Sequence, residues 1–304
     1  MKWRMLVLFT LIIGFTLFFI YWYMEQARVL EIQKMSGSDR QICGICHTEE
    51  NLGFNRKNLH FPFRNWQCTS CHINHNTSKR GQYVIELDKL CQSCHPSEKL
   101  MRSSQFLHQP VSKGRCMDCH DPHGSDFDKL LIVANDKLCR TCHVMGRLLL
   151  FPNLHKPFEE GFCLDCHVPH GSKTRGLLAL SQKELCFSCH FSQVGDLFKR
   201  YTHKPFIEGD CTGCHVPHGS PYKPLLKNES IALCADCHSD INERIQAGLS
   251  HPVGTNISDP WRGDYLRCAS CHQPHGTENI HLLRLVKDGL CLECHPFDTY
   301  IVHY

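Results

Sequence analysis

The sequence predicts a mostly irregular chain with short α-helices, organised as an elongated repeat array behind one N-terminal transmembrane helix. Three observations carry that expectation. All 22 cysteines sit in one motif, C-x-x-C-H, written eleven times. The motifs recur at two alternating spacings. A 19-residue run without charge, residues 5–23, lies near the start of the chain.

The motif comes first because it fixes the chemistry. The cysteine pairs are Cys43 and Cys46, Cys68 and Cys71, Cys91 and Cys94, Cys116 and Cys119, Cys139 and Cys142, Cys163 and Cys166, Cys186 and Cys189, Cys211 and Cys214, Cys234 and Cys237, Cys268 and Cys271, and Cys291 and Cys294. The histidines that follow them are His47, His72, His95, His120, His143, His167, His190, His215, His238, His272 and His295. C-x-x-C-H is the covalent attachment signature of c-type haem. Two thiols add across the two vinyl groups of one porphyrin, and the next histidine binds the iron on the proximal side. Structural zinc sites pair C-x-x-C elements without a histidine after every second cysteine. A disulfide framework does not require that histidine either. The reading is eleven c-type haems, each with its iron, and no cysteine left over.

Composition agrees. From Gln41 onward each haem has only about two dozen residues, too few to build a core from protein alone. The haem faces must then act as the core, and folding should depend on their attachment. The formal charge of +3 is misleading. With two propionates and one ferric charge per haem, the loaded chain carries about −8, so basic pI is no sign of nucleic-acid binding.

Residues 5–23 are long enough to cross a bilayer as a helix. Lys2 and Arg4 precede the run, and Tyr21, Trp22 and Tyr23 close it as an interfacial belt would. The competing reading is a cleaved signal peptide, for which Ala27 is the one small-residue hint. The expectation is an uncleaved signal anchor at 1–30 in the cytoplasmic membrane, single-pass. A tether at 31–40 and an extracytoplasmic, periplasmic haem domain at 41–304 follow it.

Successive motif starts lie 25, 23, 25, 23, 24, 23, 25, 23, 34 and 23 residues apart. The recurring 23 defines a two-haem unit, which is repeat architecture. The units are expected at 60–107, 108–154, 155–202, 203–250 and 251–304, after a lone haem at 41–59 that looks like the second half of a pair. The unit template is a histidine before Pro-Phe or a variant of it, a C-x-x-C-H-x-Pro-His-Gly block, a Leu-Leu step and a Leu-C-x-x-C-H end, as in residues 154–190 and 202–238; the first unit has Asn74-His75-Asn76 in place of Pro-His-Gly and no Leu-Leu step. The stretch SQKELCFSCH at 181–190 reads as a short helix and the Pro-His-Gly blocks as turns. The insertion between His251 and Cys268 reads as a surface loop. Little or no sheet is expected.

On these residues the chain resembles the doubled C-x-x-C-H family of multihaem cytochromes c, from about Gln41 to Pro296. The resemblance implies stacked, low-spin haems with two axial histidines and electron transfer in the periplasm or at the cell surface. Twelve histidines lie outside the motifs, and ten of them recur at fixed places. One set is His60, His108, His155, His203 and His251; the other is His75, His123, His170, His218 and His275. Imidazole suits iron, and these ten are the candidate distal ligands. The preferred register keeps ligands inside the unit: His60 serves the haem of His72, and His75 that of His95. A rival register assigns the first set to the preceding haem. The haem of His47 has no template partner; Met35 and His303 are its candidates, with a histidine from a neighbouring subunit as a further option. His281, before the last Leu-Leu step, reads as an exposed side chain.

The expected function is a membrane-anchored conduit passing electrons among eleven haems, between membrane or periplasmic redox partner proteins, in respiratory or extracellular electron transfer. The alternative is a quinol dehydrogenase that uses the haem nearest the membrane. An oxyanion reductase and a conductive filament fit the histidine supply and the anchor less well.

Overall fold

The computed structural model describes Thr16, Ile20, Tyr23, residues 36–73 and 83–96, Met101, and residues 104–248, 253–259 and 263–295. Among these, no helix is long and apolar enough to cross a membrane. The expected span at 5–23 lies outside the described residues, apart from Thr16, Ile20 and Tyr23. Met35, His75, His251 and His303 also lie outside them. The described residues group into two compact bodies, one within 1–102 and 109–138, the other within 103–108 and 139–304.

Within the first body, short helices span Ser36–Cys43, Glu49–Leu52 and Leu87–Gln92. Thr48 caps the second of them, its side chain accepting from the Asn51 amide. Two strands of two residues, Asn58–Leu59 and Gly124–Ser125, pair antiparallel, with Leu59 opposite Gly124. Asp39 is buried and accepts from both the amide and the hydroxyl of Thr69, each at 2.9 Å. That contact ties the first motif to the second.

The second body repeats the pattern. Phe106–Leu107 pairs with Gly171–Ser172, Asn153–Leu154 with Gly219–Ser220, and Tyr201–Thr202 with Gly276–Thr277. In each case the strand before a leading histidine joins the Gly-Ser or Gly-Thr of the following repeat. The helix expected around 181–190 forms at Gln182–Phe187, started by a capping box between Ser181 and Glu184.

Two expectations are corrected. Five two-stranded antiparallel ladders occur among the described residues, where little or no sheet was expected. Four have strands of only two residues, too short for alternation to register in the sequence. The insertion of the last repeat is a hairpin, Gly254–Asp259 against Asp264–Leu266, and not a mere surface loop. Its Asp259 and Leu266 are buried.

The short ladders impose the glycines. A Cβ at Gly124 would meet Leu59 Cδ2 at 2.8 Å, and one at Gly219 would meet Leu154 Cδ2 at 2.8 Å. The next residue is buried and polar. Ser125, Ser172 and Ser220 donate through Oγ to the carbonyls of Leu131, Leu178 and Leu226, and accept from the amides of Phe127, Thr174 and Tyr222. Thr277 does the same with Leu283 and Asn279. The hydroxyl thereby folds the Leu-Leu step back onto the Pro-His-Gly turn. Ser220 is 1 % exposed, so Ser220→Ala removes from a buried position the hydroxyl that bonds the Leu226 carbonyl and the Tyr222 amide. The expected cost is about 1–3 kcal/mol, read as a lower thermal midpoint of the haem-loaded protein. An unchanged midpoint would show that the hydroxyl carries no structural weight.

Only Trp66 and Leu266 are buried apolar residues among those described. The described residues thus build almost no apolar core of their own.

Candidate functional site

Each motif folds as a single turn. The amide of the motif histidine donates to the carbonyl of the first cysteine, at 2.9 Å for His47 to Cys43, 2.8 Å for His72 to Cys68 and 2.9 Å for His167 to Cys163. That turn gathers two thiols and an imidazole into one loop, as attachment to one porphyrin requires.

Four of the motif rings, each at the first motif of a repeat, are held from behind. His120 Nδ1 donates to the carbonyl of Lys129 at 2.8 Å, His167 to Gly176 at 2.8 Å, His215 to Pro224 at 3.0 Å and His272 to His281 at 2.8 Å. This outer hydrogen bond fixes the tautomer and leaves Nε2 as the iron-binding atom. The acceptors sit at tight left-handed turns. Lys129, Leu130, Leu177, Leu225, His281 and Leu282 all have φ between 56° and 61°. Non-glycine residues adopt that region at a cost, and such strain gathers at functional sites. In the sequence, His281 reads only as an exposed side chain, with Lys129, Gly176 and Pro224 at the same place in other repeats. Only its carbonyl is used, so Lys, Gly, Pro and His serve equally; the His281 side chain itself is exposed.

The distal candidates are held in a matching way. His60 Nδ1 donates to the Pro122 carbonyl at 2.8 Å. His155 and His203 make the same bond to Pro217 and Pro274. Each accepting proline belongs to the Pro-His-Gly turn of the following repeat or its Pro-containing equivalent. His275 Nδ1 instead lies 3.9 Å from Asp196. Burial is the largest influence on His60, His123, His155, His203, His218 and His275, and it pushes each below the ordinary imidazole pKa. A neutral ring is the form that coordinates iron.

The structure brings together rings other than those expected. His60 faces His95 with ring centroids 6.0 Å apart, His108 faces His143 at 6.0 Å, His155 faces His190 at 6.0 Å, and His203 faces His238 at 6.2 Å. His72 faces His123 at 5.9 Å, His167 faces His218 at 6.0 Å, and His215 faces His275 at 6.2 Å. His60 is thus set against His95, whereas the within-unit register pairs it with His72 and the rival pairs it with the preceding motif. His170 is held by backbone, its carbonyl accepting from the His108 amide at 3.1 Å.

The spacing of these rings is informative. An iron bound by two imidazole nitrogens at about 2 Å each separates the ring centroids by about 6 Å. Seven described pairs meet that separation, and the exposed apolar chain around them has no protein core to cover it. The residues present fit c-type haem.

Cysteines of neighbouring motifs also approach. The thiols of Cys43 and Cys68, Cys91 and Cys116, Cys186 and Cys211, and Cys234 and Cys268 are hydrogen-bonding neighbours. Burial first, then the neighbouring thiol, pushes Cys68 up to about 11 and Cys186 up to about 12. Within repeats the second cysteines come near one another, as with Cys71 and Cys94 or Cys166 and Cys189. The first motif behaves as the second half of a pair: Cys43 meets Cys68 as Cys91 meets Cys116.

Repeated attachment turns, paired imidazoles and the near absence of an apolar core among the described residues define a multihaem c-type cytochrome, a protein of electron transfer. The family model described as the doubled CXXCH motif matches residues 60–100, 108–147, 155–195, 203–243 and 260–299, more than half of the chain, and the chain belongs to that family. No curated protein matches it.

Proposed function

We propose that this chain is a membrane-anchored cytochrome that carries electrons through eleven covalently bound haems, between redox partner proteins at the cytoplasmic membrane and in the periplasm. Bound haem supplies a one-electron couple at each motif. The chain's own residues do the rest. The motif turns hold the attachment edges, the outer carbonyls orient the proximal rings, and paired imidazoles favour low-spin iron, which changes oxidation state with little rearrangement.

The observation that carries this reading is the set of seven imidazole pairs at 5.9–6.2 Å. Two imidazoles per iron leave no open position for a substrate, which favours a carrier over a reductase at those sites. The approach of cysteines from consecutive motifs supports passage between neighbours in sequence order. The uncharged run at 5–23 with Lys2 and Arg4 before it supports the anchor.

Intact-mass measurement of the full chain should give eleven haem additions, and a potentiometric titration should take up eleven electrons. Fewer additions or fewer electrons would overturn the haem number. Cell fractionation should leave the full-length chain in the membrane pellet. A soluble, haem-loaded product lacking residues 1–30 would overturn the anchor and leave the carrier role standing.

A further inference from the structure

We propose that the two irons of each repeat are closed from different places in the chain. The iron at a repeat's second motif takes its distal histidine from the head of the same repeat. The iron at the first motif takes its distal histidine from the Pro-His-Gly turn of the following repeat, wherever a repeat follows; the last repeat, 251–304, is outside this rule. The inference rests on the chain being a multihaem cytochrome and goes beyond it by assigning the ligands.

The first class is seen four times. His60 with His95, His108 with His143, His155 with His190 and His203 with His238 are each 35 residues apart. The second class is seen three times. His72 with His123 and His167 with His218 are 51 residues apart, and His215 with His275 is 60 apart because the last repeat carries its insertion. A chance ring contact would not keep its offset where the insertion is absent and shift with it where it is present.

The backbone shows the same crossing independently. The amide of His60 donates to the carbonyl of His123 at 3.0 Å, His155 to His218 at 3.1 Å, and His203 to His275 at 3.1 Å. Each bond extends one of the two-residue ladders. One backbone contact therefore positions two rings that serve different irons. His155 goes to His190 within its own repeat, while His218, joined to it, reaches back to His167. The glycine after each turn histidine permits this approach, since a Cβ at Gly219 would meet Leu154 Cδ2 at 2.8 Å and one at Gly276 the Asp196 carbonyl oxygen at 2.4 Å.

The two classes also differ in ring orientation. Within a repeat the imidazole planes lie 15–23° apart. Across repeats they lie 51°, 33° and 56° apart. Near-parallel imidazoles split the two iron d orbitals of π symmetry and give a rhombic low-spin signal. Rotated imidazoles bring those orbitals together and give a broad signal with one large g value.

The test is quantitative EPR on the oxidised, full-length, haem-loaded chain. His155→Ala should convert one iron to high spin at the expense of the rhombic class. His275→Ala, at the pair with the largest ring rotation, 56°, should convert one iron at the expense of the large-g class. A loss from the opposite class in either variant overturns the assignment. The decisive step is masking. In a chain carrying Cys186→Ser and Cys189→Ser, which lacks the haem of His190, adding His155→Ala should create no new high-spin iron. In a chain carrying Cys163→Ser and Cys166→Ser, His218→Ala should be equally silent. One new high-spin iron in either background shows that the histidine serves another haem. Should an alanine variant fail to accumulate, His218→Met supplies a replacement ligand. One low-spin haem should then rise in potential, and that rise should vanish in the Cys163→Ser, Cys166→Ser background; its persistence overturns the register. A full chain without haem by intact mass would overturn the cytochrome reading itself, whereas a loaded chain whose double variants do not mask overturns only the register.

Discussion

A chain with every motif cysteine replaced by serine gives no cooperative unfolding transition. The reason is the near absence of a core. Among the described residues, Trp66 and Leu266 are the only buried apolar side chains. Burial of a large apolar side chain contributes about 1.5–3 kcal/mol. Ordering the backbone costs about 1–2 kcal/mol for every residue fixed. Two side chains cannot offset that cost over the residues described. Many apolar groups stand exposed in the bare chain, including Val144 at 94 % and Leu150 and Phe198 at 83 %. Haem faces would remove such surface from water, and thioethers would hold the faces in place without the entropy loss of binding a free ligand. Circular dichroism of the serine variant across temperature should show a sloping, non-sigmoidal signal. A sigmoidal transition near the midpoint of the loaded protein would mean that the polypeptide folds on its own and that haem is a passenger.

What the sequence made legible follows from how each feature is written. The motif and its alternating spacing are covalent and periodic, so the two-haem unit could be read directly. The role of the first motif as a second half could be read too, and the Cys43–Cys68 and Asp39–Thr69 contacts agree with it. The helix at Gln182–Phe187 announced itself through Ser181 and Glu184, a capping box with hydrogen bonds in both directions. The pairing of rings was not legible. In a periodic chain each histidine stands at a constant offset from several motifs at once, so spacing alone cannot select the partner. Selection comes from two-residue ladders between repeats, which leave no hydrophobic alternation. The available signal was the glycine after each turn histidine, at 124, 171, 219 and 276. A glycine kept where a turn has already ended marks a close backbone approach, here the strand of the preceding repeat. The outer carbonyls were hidden for another reason. A position used only through its backbone leaves its side chain free to vary.

Trp66 shows the same limit from the opposite side, and it carries the second large effect. It adopts φ 56°, at the position where the later repeats place Gly114 at 65°, Gly161 at 84° and Gly209 at 78°. A tryptophan there costs about 1–2 kcal/mol relative to the ordinary helical or extended regions. The indole recovers more than that. It is 6 % exposed, stacks on Phe54 with centroids 4.9 Å apart, and lies under the Arg40 guanidinium at 5.9 Å. Two of its ring carbons lie 3.4 Å from where a Cβ on Gly44, inside the first motif, would sit. Where the third repeat meets the fourth, the exchange runs the other way. Phe187 stands at the place of Gly44 and packs edge-on against Phe206 at 5.8 Å, with Gly209 in the left-handed position. Removing the indole should cost about 3–5 kcal/mol of burial. Trp66→Gly relieves the backbone strain and should lose about 1–4 kcal/mol net. Trp66→Ala keeps part of the strain and should be less stable than Trp66→Gly by about 1 kcal/mol. Thermal midpoints of the haem-loaded proteins should therefore fall in the order wild type, glycine, alanine. An alanine variant above the glycine variant would show that the left-handed backbone at 66 is not strained. A glycine variant equal to wild type would show that the indole contributes no net stability beside the first haem motif.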